Sequence, residues 1–308
     1  MSKIGFFFTL LATVLVCLLP PAPARAAAGR TFVSAAGNDS NPCTITMPCR
    51  NLQAAYNAVA PNGEVEALDP GNYGSLTITG PVTIQGHGWA GMSTTTGAAI
   101  TINATGATDK INIFGVVADG LGISGTNGIV FNSGGRLNVK DSVIQNFAND
   151  GITLNATAPV SISDTVVSDN TNHGINFQPG GAADLTLERV QAIGNSNIGI
   201  LIEGENAAPG AVITGTCADC VISGNGNGFS SEGFLISAQP TGTIVNCKIV
   251  NNNVGLLLSY STVYLAQTTI SNNKTDGYST QFGTLKSFGN NFITDTTNPG
   301  ILMSIAQR

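Results

Sequence analysis

Charge is scarce in this sequence: Asp, Glu, Lys and Arg make up 10% of 308 residues, and the basic residues number 12. That argues against nucleic acid as a partner, because binding its phosphates rests on clustered Lys and Arg. Aromatic residues are also few, 6% with one tryptophan, which leaves little material for stacking sugars. Only two histidines occur, His87 and His173. Beyond the first residues no apolar run approaches the roughly 20 residues of a membrane-spanning helix. Disorder is excluded as well, because 42% of the chain is hydrophobic and its charge is low.

The first residues, "MSKIGFFFTLLATVLVCLLPPAPARAAAG", carry Lys3, an apolar run from Gly5 to Leu19, and the small-residue pattern Ala24-Arg25-Ala26. This is the pattern of a secretory signal peptide over residues 1–26, cut near Ala26. Its removal takes Lys3 and Arg25 and leaves a side-chain charge of −8 (10 − 18) on the mature chain. A secreted or periplasmic location is expected, with no membrane span left after cleavage. Export permits disulfides. Five cysteines remain, Cys43, Cys49, Cys217, Cys220 and Cys247. Cys43 and Cys49 bracket a short Pro-containing loop and are expected to pair. Cys217 and Cys220 form a CxxC without the second CxxC or nearby histidine that would complete a zinc set, so a structural role is preferred. The pairing among Cys217, Cys220 and Cys247 stays open.

What the chain has in abundance is repetition. A Gly followed by an apolar residue recurs in "NGI" (127–129), "DGI" (150–152), "HGI" (173–175), "IGI" (198–200), "EGF" (232–234), "VGL" (254–256) and "DGY" (276–278). Successive glycines are 23, 23, 25, 34, 22 and 22 residues apart, one period of about 22 with a single long insertion between Gly199 and Gly255. Each unit also contains an alternating apolar segment, such as "VSISDTVVSDN", then a polar turn, the Gly and a second short apolar segment. Alternation with β-branched residues indicates short strands, and Asn, Gly and Ser supply the corners. Three short strands in about 22 residues make one coil of a parallel β-helix.

On these repeats the chain resembles the right-handed parallel β-helix proteins of pectate-lyase-like architecture. The resemblance implies an all-β solenoid of about ten coils over residues 64–296, a strand and helix cap over 27–63, and a tail over 297–308. It further implies carbohydrate as the class of partner. In such proteins a first strand and a short helix, here roughly Arg50 to Val59, precede the coils. The helix would set Leu52, Ala55 and Val59 on one face and close an otherwise open sheet edge.

Aligning the glycines sorts the polar residues into columns. Asn149, Asn172, Asn197 and Asn253 form one; Phe147, Asn170, Asn195, Asn251 and Asn273 form another. These are expected to be Asn ladders, with amides bonded from coil to coil. The column just before Gly holds Asn127, Asp150, His173, Ile198 and Val254, a mixture expected at a solvent-facing turn. Asp150 one coil from His173 could orient the imidazole as a base. Ten residues before Gly stand Asp141, Asp164 and Arg189, beside Lys140 and Glu188. Two carboxylates a coil apart could hold calcium, as in polysaccharide lyases, or act as a glycosidase pair. The preferred reading makes them turn residues, as Asn246 is in a later coil. His87, in "GHG", is expected to be a turn residue too. No cofactor is expected beyond that calcium.

Two functions follow. One is an exported β-helix that binds carbohydrate or is structural at the cell envelope. The other is an enzyme on acidic polysaccharide, a lyase, epimerase or glycosidase, with Asp141, Asp164, Asp150 and His173 as catalytic candidates. A fold by itself does not choose between them. Oligomeric state cannot be read from the sequence.

Overall fold

A computed structural model describes residues 28–122, 125–232, 238–295 and 302–305. The expected signal peptide and most of the tail lie outside the described residues. Every pairing between the strands is parallel, and each strand pairs with its counterpart one coil away. The chain is a parallel β-helix with three faces. The first face runs from Ala28–Val33 to Leu302–Ser304, and its strands are four to six residues long in the central coils. The second consists of three-residue strands such as Val143–Gln145 and Val166–Ser168. The third stacks nine strands, from Leu76–Ile78 to Asp276–Gln281.

Alternation along each strand sends one set of side chains inward. Val139, Ile162, Leu187, Cys217 and Ile244 form one buried column on the first face, in direct register. Phe131, Leu154 and Phe177 form another on the third. Each such apolar side chain contributes about 1.5–3 kcal/mol by leaving water.

Two left-handed bends bracket the second face. The residue entering it has φ of +51 to +56° in Asp141, Asp164, Arg189, Asp219, Asn246 and Gln267. The residue leaving it is also left-handed, as in Asn146, Asp169, Asn251 and Asn272. Asn and Asp tolerate this conformation better than other non-glycine residues, which is why they dominate both corners.

Nine strands on the third face make eight steps (9 − 1), fewer than the ten coils expected. Some coils are longer than 22 residues: Ile100 to its partner Ile129 is a step of 29 (129 − 100). The long insertion also resolves differently. Gly228, not Gly233, stacks on Gly199, because Ile198 pairs with Asn227 and Ile200 with Phe229. The expected steps of 34 and 22 therefore become steps of 29 (228 − 199) and 27 (255 − 228). Both extra stretches follow third-face strands, after Glu203 and after Glu232.

At the N-terminal end, helix α1 (Leu52–Ala58) buries Leu52 and Ala55, while Val59 already begins a strand. Strand Ala28–Val33 pairs with Val59–Ala67, so the cap strand is itself the first rung of the first face. The Cys43–Cys49 disulfide is formed, and backbone bonds from Phe32 to Cys43 and from Cys49 to Phe32 hold its loop against that rung.

Candidate functional site

The inner Asn ladder is the longest polar feature. Asn170, Asn195, Asn225, Asn252 and Asn273 are all at most 6% exposed. Each amide nitrogen donates to the next amide oxygen, at 2.8, 3.0, 3.0 and 3.1 Å, and Asn273 ends the run on Asp295 at 3.1 Å. Asn252 occupies this column, whereas Asn251 was expected; Asn251 is instead the left-handed corner, since that turn is one residue shorter. The ladder also explains the repeat glycines. A Cβ on Gly151, Gly174, Gly199, Gly228 or Gly255 would meet a ladder amide nitrogen at 2.7, 2.8, 2.8, 2.9 or 3.0 Å. An outer ladder joins Asn127, Asn149, Asn172 and Asn197 at 3.0 to 3.1 Å.

Asp150 and His173 do meet, with His173 Nδ1 3.0 Å from an Asp150 carboxylate oxygen. The expectation of a solvent-facing column fails here: Asp150 is 2% exposed. Its carboxylate draws in the outward side chains of the third face, accepting from Thr153 at 3.0 Å and Asn176 at 3.2 Å, and from Asn172 at 2.9 Å. The Asn197 amide nitrogen lies 3.2 Å from His173 Nε2, so both ring nitrogens are engaged. Burial by itself lifts the Asp150 carboxyl; the bonds from His173 and Asn176 more than reverse this, and it titrates below the ordinary range. A closed network of this kind fixes a corner.

Asp141 and Asp164 both sit at the left-handed entry to the second face. Arg189 grips Asp164 with two bonds, 2.5 and 2.9 Å, and also contacts Glu188. Those bonds, with the Arg189 charge, hold the Asp164 carboxyl below its usual range. Asp141 faces Lys140 at 3.8 Å. As arranged, both Asp164 oxygens serve the Arg189 guanidinium rather than a metal ion. The structure does not bring these aspartates together with Asp150 and His173, which lie across the second face at the other bend. His87, left-handed at φ +56° as a turn residue can be, contacts Glu66 at 3.2 Å.

The open polar surface is elsewhere, on the first face. Lys110 and Arg136 are direct partners one coil apart, and Asn112 and Asn138 are the next outward pair. With Ser161, Asp184 and Thr186 they line a recess of about 430 Å³. Four residues further along the same two strands, the partners Phe114 and Lys140 border a second recess of about 550 Å³ with Gln85, His87 and Asp141. Neither Lys110 nor Arg136 has an ion-pair partner among the described residues. Sequence reasoning missed this pair, although basic-apolar-Asn recurs in "KIN" and "RLN".

A carboxylate pair was missed too. Glu203 and Glu232 are partners on neighbouring third-face strands. Burial first, then the charges of Glu205 and Glu232, raise the Glu203 carboxyl.

No protein-family model and no curated protein matches this chain. Among solved structures it is similar to a pectate lyase at 13% identity, covering 88% of this chain and 78% of that one, TM-score 0.49. It is similar to the A-module of a mannuronan C-5 epimerase from Azotobacter vinelandii at 16%, covering 91% and 90%, TM-score 0.46. An alginate lyase from a Paenibacillus species gives 16%, 90% and 98%, TM-score 0.48. The likeness is one of coiled architecture and carries no correspondence between residues.

Proposed function

We propose that this is an exported β-helix that binds an acidic polysaccharide across its first face. The observation that carries the reading is the adjacent Lys110 and Arg136, without ion-pair partners among the described residues, beside the outward Asn112, Asn138, Ser161 and Thr186. A net charge of −8 (10 − 18) on the mature chain would repel a polyanion, so docking needs a local cationic strip. Lys140 extends it along strand Arg136–Lys140, about 13 Å from end to end at 3.3 Å per residue. Hydroxyl and amide groups on that floor suit the hydroxyls of a sugar. The two disulfides fit an oxidising compartment.

An enzymatic reading, action on the same class of polymer, draws on the raised Glu203 beside Glu232. One experiment separates the two. Purified mature protein is titrated with alginate, pectate and a neutral glucan, with and without calcium, while new reducing ends and unsaturated uronates are assayed. Binding to the uronate polymers alone, weakened at least about tenfold in Lys110→Ala/Arg136→Ala and by added salt, is the expected result. Equal binding to neutral glucan, or an unaffected double variant, would overturn the reading. Turnover abolished by Glu203→Gln would establish the enzyme.

A further inference from the structure

Three cysteines gather at the bend from the first face to the second in two neighbouring coils. Cys217 is inward on the first face, between Leu187 and Ile244. Cys220 and Cys247 belong to a different column, the position following the left-handed residues Asp219 and Asn246. In three other coils that position is Ser142, Thr165 or Thr268, whose hydroxyl donates to the carbonyl two residues before it, and in a fourth it is Val190. The sulfurs imitate the hydroxyls: Cys220 Sγ lies 3.5 Å from Ala218 O and Cys247 Sγ 3.2 Å from Val245 O. The Cys220 amide donates to Cys247 Sγ at 3.3 Å, as the Ser142 amide does to Thr165 Oγ1 at 3.4 Å. All three sulfurs lie within 4.8 Å of one another and are buried. The disulfide joins Cys217 to Cys220, and Cys247 is a thiol.

We propose that this trio is a thiol–disulfide exchange site, in which the bond moves from within one coil, Cys217–Cys220, to between two coils, Cys220–Cys247. Cys247 Sγ, as thiolate, attacks Cys220 Sγ. A new S–S bond forms, the old one breaks, and Cys217 Sγ leaves with the electron pair and takes up the proton that Cys247 gave up. One disulfide and one thiol stand on each side, so no oxidant or reductant is consumed. Stacked neighbours about 4.8 Å apart at the backbone fall within the Cα separation of about 4.4–6.8 Å that a disulfide spans.

The exchange replaces a cross-link between residues 3 apart by one between residues 27 apart. In the chain-entropy account the longer loop restricts the unfolded chain more. The new bond would staple together two neighbouring coils, the one that carries Ile213–Ala218 and the one that carries Thr241–Val245. Burial pushes the Cys247 thiol up to about 11. Thiolate is therefore scarce at neutral pH, and exchange is slow there and faster in alkali.

The test uses the intact oxidised protein, incubated between pH 7 and 10, quenched in acid, alkylated, and mapped without reduction after cleavage before Asp219. The alkyl label should move from Cys247 to Cys217, about tenfold faster per pH unit. In Cys217→Ser, mild oxidation with glutathione disulfide should join Cys220 to Cys247; in Cys247→Ser the Cys217–Cys220 bond should persist. A label that stays on Cys247 at every pH overturns the proposal. Two free thiols in oxidised, folded Cys217→Ser overturn it as well. Should that variant fail to fold, the wild-type label decides.

Discussion

Asparagines in the inner ladder of this solenoid and those on its open first face are bonded differently. In the inner ladder, Asn195 accepts from both nitrogens of Asn170 and donates to Val167 O and Asn225 Oδ1, so its amide is spent on neighbouring coils. On the first face, Asn138 is stacked in equally good register on Asn112 and Ser161, yet its side chain opens onto a recess. Residue type and stacking are the same. What differs is the side of the sheet: the inner ladder is bonded along its whole length, whereas on the open first face Asn112 donates only to Thr83 Oγ1, at 3.1 Å, and Asn138 borders the recess.

The comparison breaks most visibly at Asn195. Replacing it by Ala strands the amide donors of Asn170 in the interior, and about 3–5 kcal/mol of stability should be lost, at about 1–3 kcal/mol per orphaned group. Asn138→Ala should stay within about 0.5 kcal/mol. Chemical denaturation of both variants measures this, and equal losses would erase the distinction. A smaller effect belongs to Asp150. Asp150→Asn should cost about 1–3 kcal/mol at pH 7, because the carboxylate receives several donors. Its carboxyl titrates lower folded than unfolded, so its contribution is full above the ordinary aspartate value of about 4 and fades as pH falls through the folded value. The gap between wild type and variant should therefore close in acid, and a gap that widens below pH 4 would contradict the network. The smallest effect is expected from Asp164→Ala. Its partner Arg189 is exposed to solvent, so the loss should come mainly from placing Ala in a left-handed bend, about 1 kcal/mol, with a small fall in Tm and polysaccharide binding unchanged. A loss of turnover at constant Tm would make Asp164 catalytic after all.

Much of the coil was legible because its rules are local. Alternation in "VSIS" and "LTLE" marks strands, and Asp or Asn at the corners marks left-handed turns. Errors arose where two local patterns competed. "NGF" at 227–229 and "EGF" at 232–234 both fit the repeat, and strand register chooses the first. Asn251 and Asn252 are adjacent and chemically identical; a turn shortened by one residue decides which enters the ladder. The mixed column around His173 suggested solvent, but Thr153 and Asn176 close over Asp150 from the neighbouring strands.

Sequence by itself determined the period, the inward apolar columns and the residues suited to the bends, because backbone preference and alternation act within a few neighbours. Tertiary structure alone decided which polar groups are consumed and which stay open. A hydrogen bond requires partners within about 3 Å, and here the partner of Asn195 is 30 residues along the chain and that of His173 is 23. Only the stacking of coils brings them together, and on a face that the stacking leaves open Lys110 and Arg136 have no ion-pair partner among the described residues.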